Sequence, residues 1–301
     1  MGMENTKYSI FHVEGGLGKN VGSTAVALCI KKNYPDRKLI VVCSYPEVFL
    51  HLKFVDRVYA IGNTPYFYSD YINNKESKIF NMNPYFTDDH INKRMPLIEN
   101  WCKMYGLEYN GEEPVLNPNI RQLQHSHIKW TRNKPILLIN TNGGPLQGQP
   151  HNYSWARDMP YETALQLVEP FRQSHHIIQV TRPGCAQIPG VEVVDQQMSN
   201  IELFSLLLHT DKRILIDSSL QHAAKAFGLQ STVLWVTTSP KLFGYDLHFN
   251  VSANLPESNE LIGSYLYDYG FHGELHECPL DDLNIFDIDD ILSTLNITKN
   301  N

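Results

Sequence analysis

Residues 214–240 read ILIDSSLQHAAKAFGLQSTVLWVTTSP. The opening run, Ile214 to Ile216, has no polar alternation, which marks a strand buried on both faces. It ends in Asp217, and Ser218, Ser219 and Leu220 open a helix, because short polar side chains there satisfy otherwise unpaired amides. The helix SLQHAAKAFGL gives way to a second strand, STVLWVTT. A strand, a helix and a strand in so short a span make a unit of parallel sheet, and ligands bind such sheets beyond the carboxyl ends of the strands. The turn at 217–220 is one of those ends, and a helix N-terminus there can hold a diphosphate. His222 falls one turn in, facing a cleft if the helix lies over one.

The same alternation extends outward in both directions. Upstream come KPILLINT (134–141), a helix from Pro160 to Phe171, the strands HHIIQVT and VEVVD, a helix at NIELFSLLLHT and the strand RILIDS. The first part of the chain begins with YSIFHV (8–13), a glycine-rich turn and the helical STAVALCIKKNY (23–34). RKLIVVCSY, a short helical stretch and RVYAIG (57–62) follow, so the order is β-α-β-α-β. Residues 63–94 read as surface loops with one brief strand candidate, KIFNMN. Their aromatics, Tyr66, Phe67, Tyr68, Tyr71, Tyr85 and Phe86, suit packing over a sheet edge, or stacking on a sugar or base. An amphipathic helix spans 95–107 and a polar connector follows it. The fold class is α/β: a first Rossmann-like domain over 1–125, a second over 126–280, and an acidic amphipathic helix in 281–301 that packs back on the first.

A chain of 301 residues suits two domains of ordinary size, and 42% apolar with 19% charged residues excludes disorder. No run approaches the length of a membrane helix, and the start has neither a basic nor an apolar signal region, so a cytoplasmic location is expected. Five scattered cysteines read as reduced thiols, and no zinc spacing occurs. The formal charge of −7 disfavours a protein that coats nucleic acid. Its distribution is uneven: residues 1–132 hold 16 Lys/Arg and 13 Asp/Glu, a balance of +3, and residues 133–301 hold 9 and 19, a balance of −10.

The loop EGGLGKNVGST (14–24) is the second candidate for chemistry, with Gly16, Gly18 and Lys19 placed to meet an anion or an acceptor. It fits neither nucleotide motif. A Walker loop requires Ser or Thr after its Gly-Lys pair, where Asn20 stands, and the gap from Gly18 to Gly22 is one residue too long for the dinucleotide fingerprint. A structural tight turn is the alternative reading. For a nucleoside, the loops at Thr141–Gly144, Thr181–Gly184 and Asp195–Met198 are the natural walls, with Thr141, Asn142, Gly143 and Asp195 as candidate contacts.

Residues 199–240 resemble the donor-binding region of the heptosyltransferase-like glycosyltransferases, with their Asp-Ser-Gly-x-x-His turn and following Gly-x-Thr-x-Pro-like loop. GGLG resembles the family's first loop, YPDRKLIVV its second strand, and WARDMPYET its Lys-x-Trp-Pro segment, with Arg157 at the lysine's place. The resemblance implies a GT-B architecture, two facing Rossmann-like domains with a nucleotide-sugar in the cleft. It also implies an inverting, metal-independent transfer that needs no cofactor beyond the nucleotide-sugar itself. Donor contacts would come from Arg157, Asp217, Ser218, Ser219, Leu220 and His222. The acceptor would be a saccharide of the lipopolysaccharide type; the basic first half would also suit a base in DNA. Ser219 and Thr237 replace glycines of the family pattern, and Lys19 stands where the family has its proposed base. Glu14 is then the candidate base, ahead of His12, with Asp88 and Asp89 as fallbacks. An epimerase or hydrolase of nucleotide-sugars, or a binding module without catalysis, are the other classes the loops allow.

Overall fold

The computed structural model describes residues 6–118, 123, 129–143, 155–194, 198–255, 278, 280 and 282–296. It comprises two compact units, Met1–Gln122 and Leu123–Asn301. Each is built on a parallel sheet.

In the first unit β1 (Lys7–Val13) leads into α1 (Leu17–Asn33), then β2 (Lys38–Cys43), β3 (Arg57–Ala60) and β4 (Glu76–Phe80), in sheet order β3-β2-β1-β4. Burial explains β1 and β2: Ile10, Phe11 and Val13 pair in register with Ile40, Val41 and Cys43, all inside. Between β2 and β3 the helical stretch of the sequence reading is a single 3-10 turn at Pro46–Val48. Val48 and Phe49 bury immediately after Pro46, so the chain turns back before a helix can extend.

In the loop region the strand candidate KIFNMN is borne out in part: its first three residues end β4, which pairs in parallel with the free edge of β1. Arg37 fastens that edge by donating to the carbonyls of Tyr8 and Glu76. Tyr59 and Tyr71 bury with Ile10, Ile40 and Val42, Phe67 packs against them, and the two tyrosine hydroxyls lie 3.1 Å apart. Tyr66, Tyr68 and Phe86 remain exposed. A short α2 (Asp88–Ile91) precedes α3 (Leu97–Met104), after which Gly106 turns the chain at φ +66°.

The second unit holds β5 (Ile136–Asn140), α4 (Tyr161–Val168), β6 (His176–Val180), β7 (Glu192–Val194), α5 (Asn200–Leu208) and β8 (Lys212–Ile216). It continues with α6 (Ser219–Ala226), β9 (Thr232–Trp235), α7 (Pro240–Phe243), β10 (Phe249–Ser252) and α8 (Ile288–Asn296). The sequence reading did not anticipate α7 or β10. Ser199 and Glu202 form a reciprocal cap at the start of α5, satisfying two amides at once.

The sheet order is β10-β9-β8-β5-β6-β7 with every pairing parallel. Strands run outward one way from β5 and the other way from β8. Their connections therefore diverge between these two, and it is beyond the carboxyl ends at such a divergence that sheets of this kind bind ligands. The C-terminal helix lies in the second unit. Ile285, Phe286, Ile291 and Leu295 bury in the second unit's own core beside Leu167, Val168 and Leu234, and Thr294 lies 2.7 Å from the hydroxyl of Thr232.

Candidate functional site

The divergence between β5 and β8 sets the turn at 217–220 beside the loop after β5, one of the three loops expected to wall a nucleoside. Gly143 lies against the turn after β8: a side chain there would stand 3.5 Å from the Asp217 carbonyl and 3.8 Å from Ser218 Cβ. Ser218 caps α6 by accepting from the Leu220 amide at 3.3 Å, and its own hydroxyl donates to Asn140 Oδ1 at 2.7 Å. One serine thus ties the end of β5 to the first turn of α6.

Arg157 belongs to a segment stitched across these strand ends. Ala156 offers its carbonyl to the Thr237 amide at 3.1 Å and to the Thr237 hydroxyl at 2.9 Å, beyond β9. Met159 donates its amide to the Thr141 carbonyl at 2.9 Å, beyond β5. The strap spans the divergence and carries Arg157 over it, half-buried and close enough to Asp217 to favour that carboxylate's charge. Burial wins nonetheless, pushing Asp217 above the usual carboxylate range against Arg157 and the Thr238 hydroxyl. Thr237, which departs from the family's glycine, is an anchor of the strap.

Asp158 and Arg182 are the residues that sequence reasoning passed over. Asp158 accepts from the Gly143 amide at 3.1 Å and from Asn142 Nδ2 at 2.9 Å, and pairs with Arg182, which donates to the Gly143 carbonyl at 3.0 Å. Both charges are buried, with side chains 12% and 10% exposed, and burial raises the Asp158 carboxyl despite these partners. Asn142 Oδ1 accepts from the hydroxyls of Thr141 and Thr181, and Gln179 donates to Thr141 at 3.0 Å. The loop 140–143 is therefore fixed by side chains before any ligand arrives. The signal lay beside residues already chosen: Asp158 follows Arg157, and Arg182 lies within the Thr181–Gly184 loop.

His222 is placed differently from the expectation that it faces a cleft. It is only 9% exposed, its Nδ1 lies 2.7 Å from the Tyr245 hydroxyl, and burial together with His248 lowers it to about 3. It is a neutral, internally bonded imidazole. Asp195 and Gly144 lie outside the described residues.

In the first unit Glu14 is exposed one residue beyond β1, while His12 is half-buried within the strand. The glycine-rich loop is shorter than the sequence suggests. Only Glu14 to Gly16 precede α1, so Gly18 and Lys19 belong to its first turn and Gly16 is its cap. Gly15 sits at φ +105°, and Asn20 Nδ2 donates to the carbonyls of Gly15 and Gly16 at 3.2 and 3.0 Å, closing the turn. Lys19 folds over two rings, its ammonium 4.9 Å from the centroid of Tyr85 and 5.5 Å from that of Trp101. Burial lowers its pKa, with Glu14 pulling the other way. Asp88 and Asp89 face Arg94, and Asp89 also pairs with Lys103 at 2.7 Å. Among the described residues, no three His, Cys, Asp or Glu side chains gather as metal ligands, and no helix is long and apolar enough to cross a membrane.

The fold is similar to that of solved structures. A glycosyl transferase family 9 protein from Veillonella parvula matches over 97% of both chains with a TM-score of 0.64 at 13% identity. The E. coli ADP-heptose lps heptosyltransferase II matches over 83% of this chain and 91% of its own, at 0.62 and 11%. The dodecameric iron-containing heptosyltransferase TibC, solved with ADP-D-beta-D-heptose, matches over 98% and 77%, at 0.65 and 13%. The fold is that of the heptosyltransferases. No family model matches the chain, and no curated protein matches its sequence. Identities this low carry the heptosyltransferase architecture and not the residues of its site, whose geometry has to be read from this chain alone.

Proposed function

We propose that the chain is a glycosyltransferase that moves a sugar from a nucleoside-diphosphate donor to an acceptor hydroxyl with inversion, the acceptor being a saccharide of the lipopolysaccharide type. The observation that carries this reading is the strap of residues 156–159, which holds Arg157 over the divergence of β5 and β8 beside the first turn of α6. A cation and a row of helix amides meet there, and an anionic leaving group needs both. The names of the solved structures that share the fold point the same way, since two of them name an ADP-heptose.

In the reaction, the acceptor oxygen forms its bond to the anomeric carbon as the bond to the diphosphate breaks. The leaving nucleoside diphosphate takes the electron pair, and a base takes the hydroxyl proton. Arg157 and the α6 amides stabilise the leaving group in this scheme without calling on a metal. The first unit supplies the acceptor side, with Glu14 as the base and Lys19 beside it.

Thermal-shift screening against ADP-, UDP-, GDP- and CMP-linked sugars tests the donor half, because a ligand that binds only the folded state raises its melting point. One nucleotide class is expected to stabilise the protein, and Arg157→Ala to weaken that response at least tenfold in ligand concentration. An unchanged response would remove Arg157 from the donor site. Glu14→Gln is expected to abolish most transfer with donor affinity kept, and full activity in that variant would eliminate Glu14 as the base. Donor binding without transfer to any saccharide would leave a binding module in place of an enzyme.

A further inference from the structure

The opposite end of the second sheet, at the amino ends of β5, β6 and β7, bounds an open cavity of about 500 Å³ that the reaction above does not use. Its walls carry Arg132, Lys134, Arg172, His175 and His176 against one carboxylate, Glu192. Residues 133–301 hold 9 Lys/Arg and 19 Asp/Glu, so a basic concentration here runs against its surroundings.

The carboxylate is already engaged. Arg132 Nη2 donates to both Glu192 oxygens at 2.7 and 2.8 Å, and His176 Nε2 lies 2.6 Å from Oε2. Lys134 and Arg172 are less fully compensated. Lys134 donates to the Gln173 carbonyl at 2.8 Å, a dipole that leaves its charge uncompensated. Arg172 donates through Nη1 to the Pro189 carbonyl at 2.9 Å and through Nε to Glu169 at 2.6 Å. The Glu169 side chain is 71% exposed, so solvent screens that pair. Spare donors of an ammonium and a guanidinium edge therefore face the same space, with the His175 ring beside them. That is the donor set by which proteins hold phosphate oxygens. The volume falls within the range of small-molecule sites, and Ile177 and Val191 give the ligand's uncharged part an apolar flank.

We propose that this cavity is a second anion site, taking a phosphorylated small molecule about the size of a sugar phosphate, with Lys134 and Arg172 as its principal contacts. It is independent of the donor site at the other ends of the same strands. The test is calorimetric titration of the full chain with glucose 6-phosphate, together with amide hydrogen exchange to locate the effect. Binding is expected, with protection gained at residues 174–177 and 189–192. The double variant Lys134→Gln/Arg172→Gln should lose at least tenfold in affinity, while Arg157→Ala leaves the affinity unchanged. If the double variant melts early, the single variant Lys134→Met serves, with a smaller loss of the same sign. Three results would overturn the proposal: no binding at millimolar concentration, an affinity indifferent to Lys134 and Arg172, or loss of binding in Arg157→Ala. The nucleotide response is measured separately, so failure here leaves the donor reading standing, and the converse holds.

Discussion

Asp158 has the most to lose of any single side chain at the strand divergence. It accepts from Gly143 and Asn142 and compensates the buried Arg182, so its removal strands a cation and frees a loop at once. Breaking a buried pair from one side costs about 3–5 kcal/mol. Asp158→Ala is therefore expected to lower the unfolding free energy of the second unit in urea by that order and to weaken nucleotide binding without touching the ligand. Asp158→Asn, which keeps the shape, should recover part of the stability. If the alanine variant unfolds within about 0.5 kcal/mol of the parent, the range of ordinary surface changes, the pair is not organising the loop. Arg157 could be singled out only through the resemblance, which sets it at a lysine's place, whereas Asp158 and Arg182 could not, because what makes them matter is a contact between residues 24 positions apart. His222 shows the reverse case: its place one turn into α6 was readable, but its partner Tyr245 was not.

At the scale of elements, the starts of α1 and α6 solve the same problem by different means. Ser218 caps α6 with its hydroxyl, whereas α1 begins at Gly16 with no side-chain cap and depends on the unusual backbone at Gly15. A side chain at φ +105° is strained, and its Cβ would also meet Lys19 Cδ at 3.1 Å, although that flexible chain can yield. Gly15→Ala should destabilise the first unit by about 1–3 kcal/mol. Gly16→Ser is the control: at φ −68° with open space around its Cβ, it should be neutral or stabilising by a few tenths of a kcal/mol. Equal effects of the two changes on urea unfolding would show that the turn at Gly15 is not required. The sequence reading started this helix at residue 23 because Gly18, Asn20 and Gly22 are loop residues by propensity. They are helical here because Asn20, Gly22, Ser23 and Thr24 bury, and Ser23 and Thr24 return their hydroxyls to carbonyls three residues back. Packing outweighed propensity. The buried strands β1, β2, β5, β6 and β8 were plain from their apolar runs, whereas β4, mostly exposed along its length, carries little of that signal.

Across the whole molecule, the alternation of strands and helices was readable in both halves, but strand order was not, since it depends on which edges pair; order is what sets residues 217–220 beside 140–143. Each unit also carries histidines that neither charge nor composition could rank. Burial lowers His90 in the first unit to about 4, and in the second it lowers His222 to about 3 and His248 to about 4. All three are nearly inaccessible, so the unfolded chain binds their protons near pH 6.5 while the folded chain refuses them. Stability from these groups is complete above about pH 6.5 and falls as the pH drops toward their folded values. The limiting slope is about 1.4 kcal/mol per pH unit for each histidine. Asp158 and Asp217, raised by burial, act with the opposite sign, favouring the folded state as acid protonates them, and so moderate the loss at the low end. Urea midpoints measured between pH 7.5 and 5 should decline, more steeply for the second unit, which holds two of the three imidazoles. His248→Asn and His222→Gln should each flatten that decline, whatever they do to stability at pH 7.5. A second unit whose midpoint holds steady down to pH 5 would mean that these rings find protons inside the fold, and that the Tyr245 hydroxyl at His222 and the Gln221 carbonyl, 3.0 Å from His248 Nε2, do not hold them neutral.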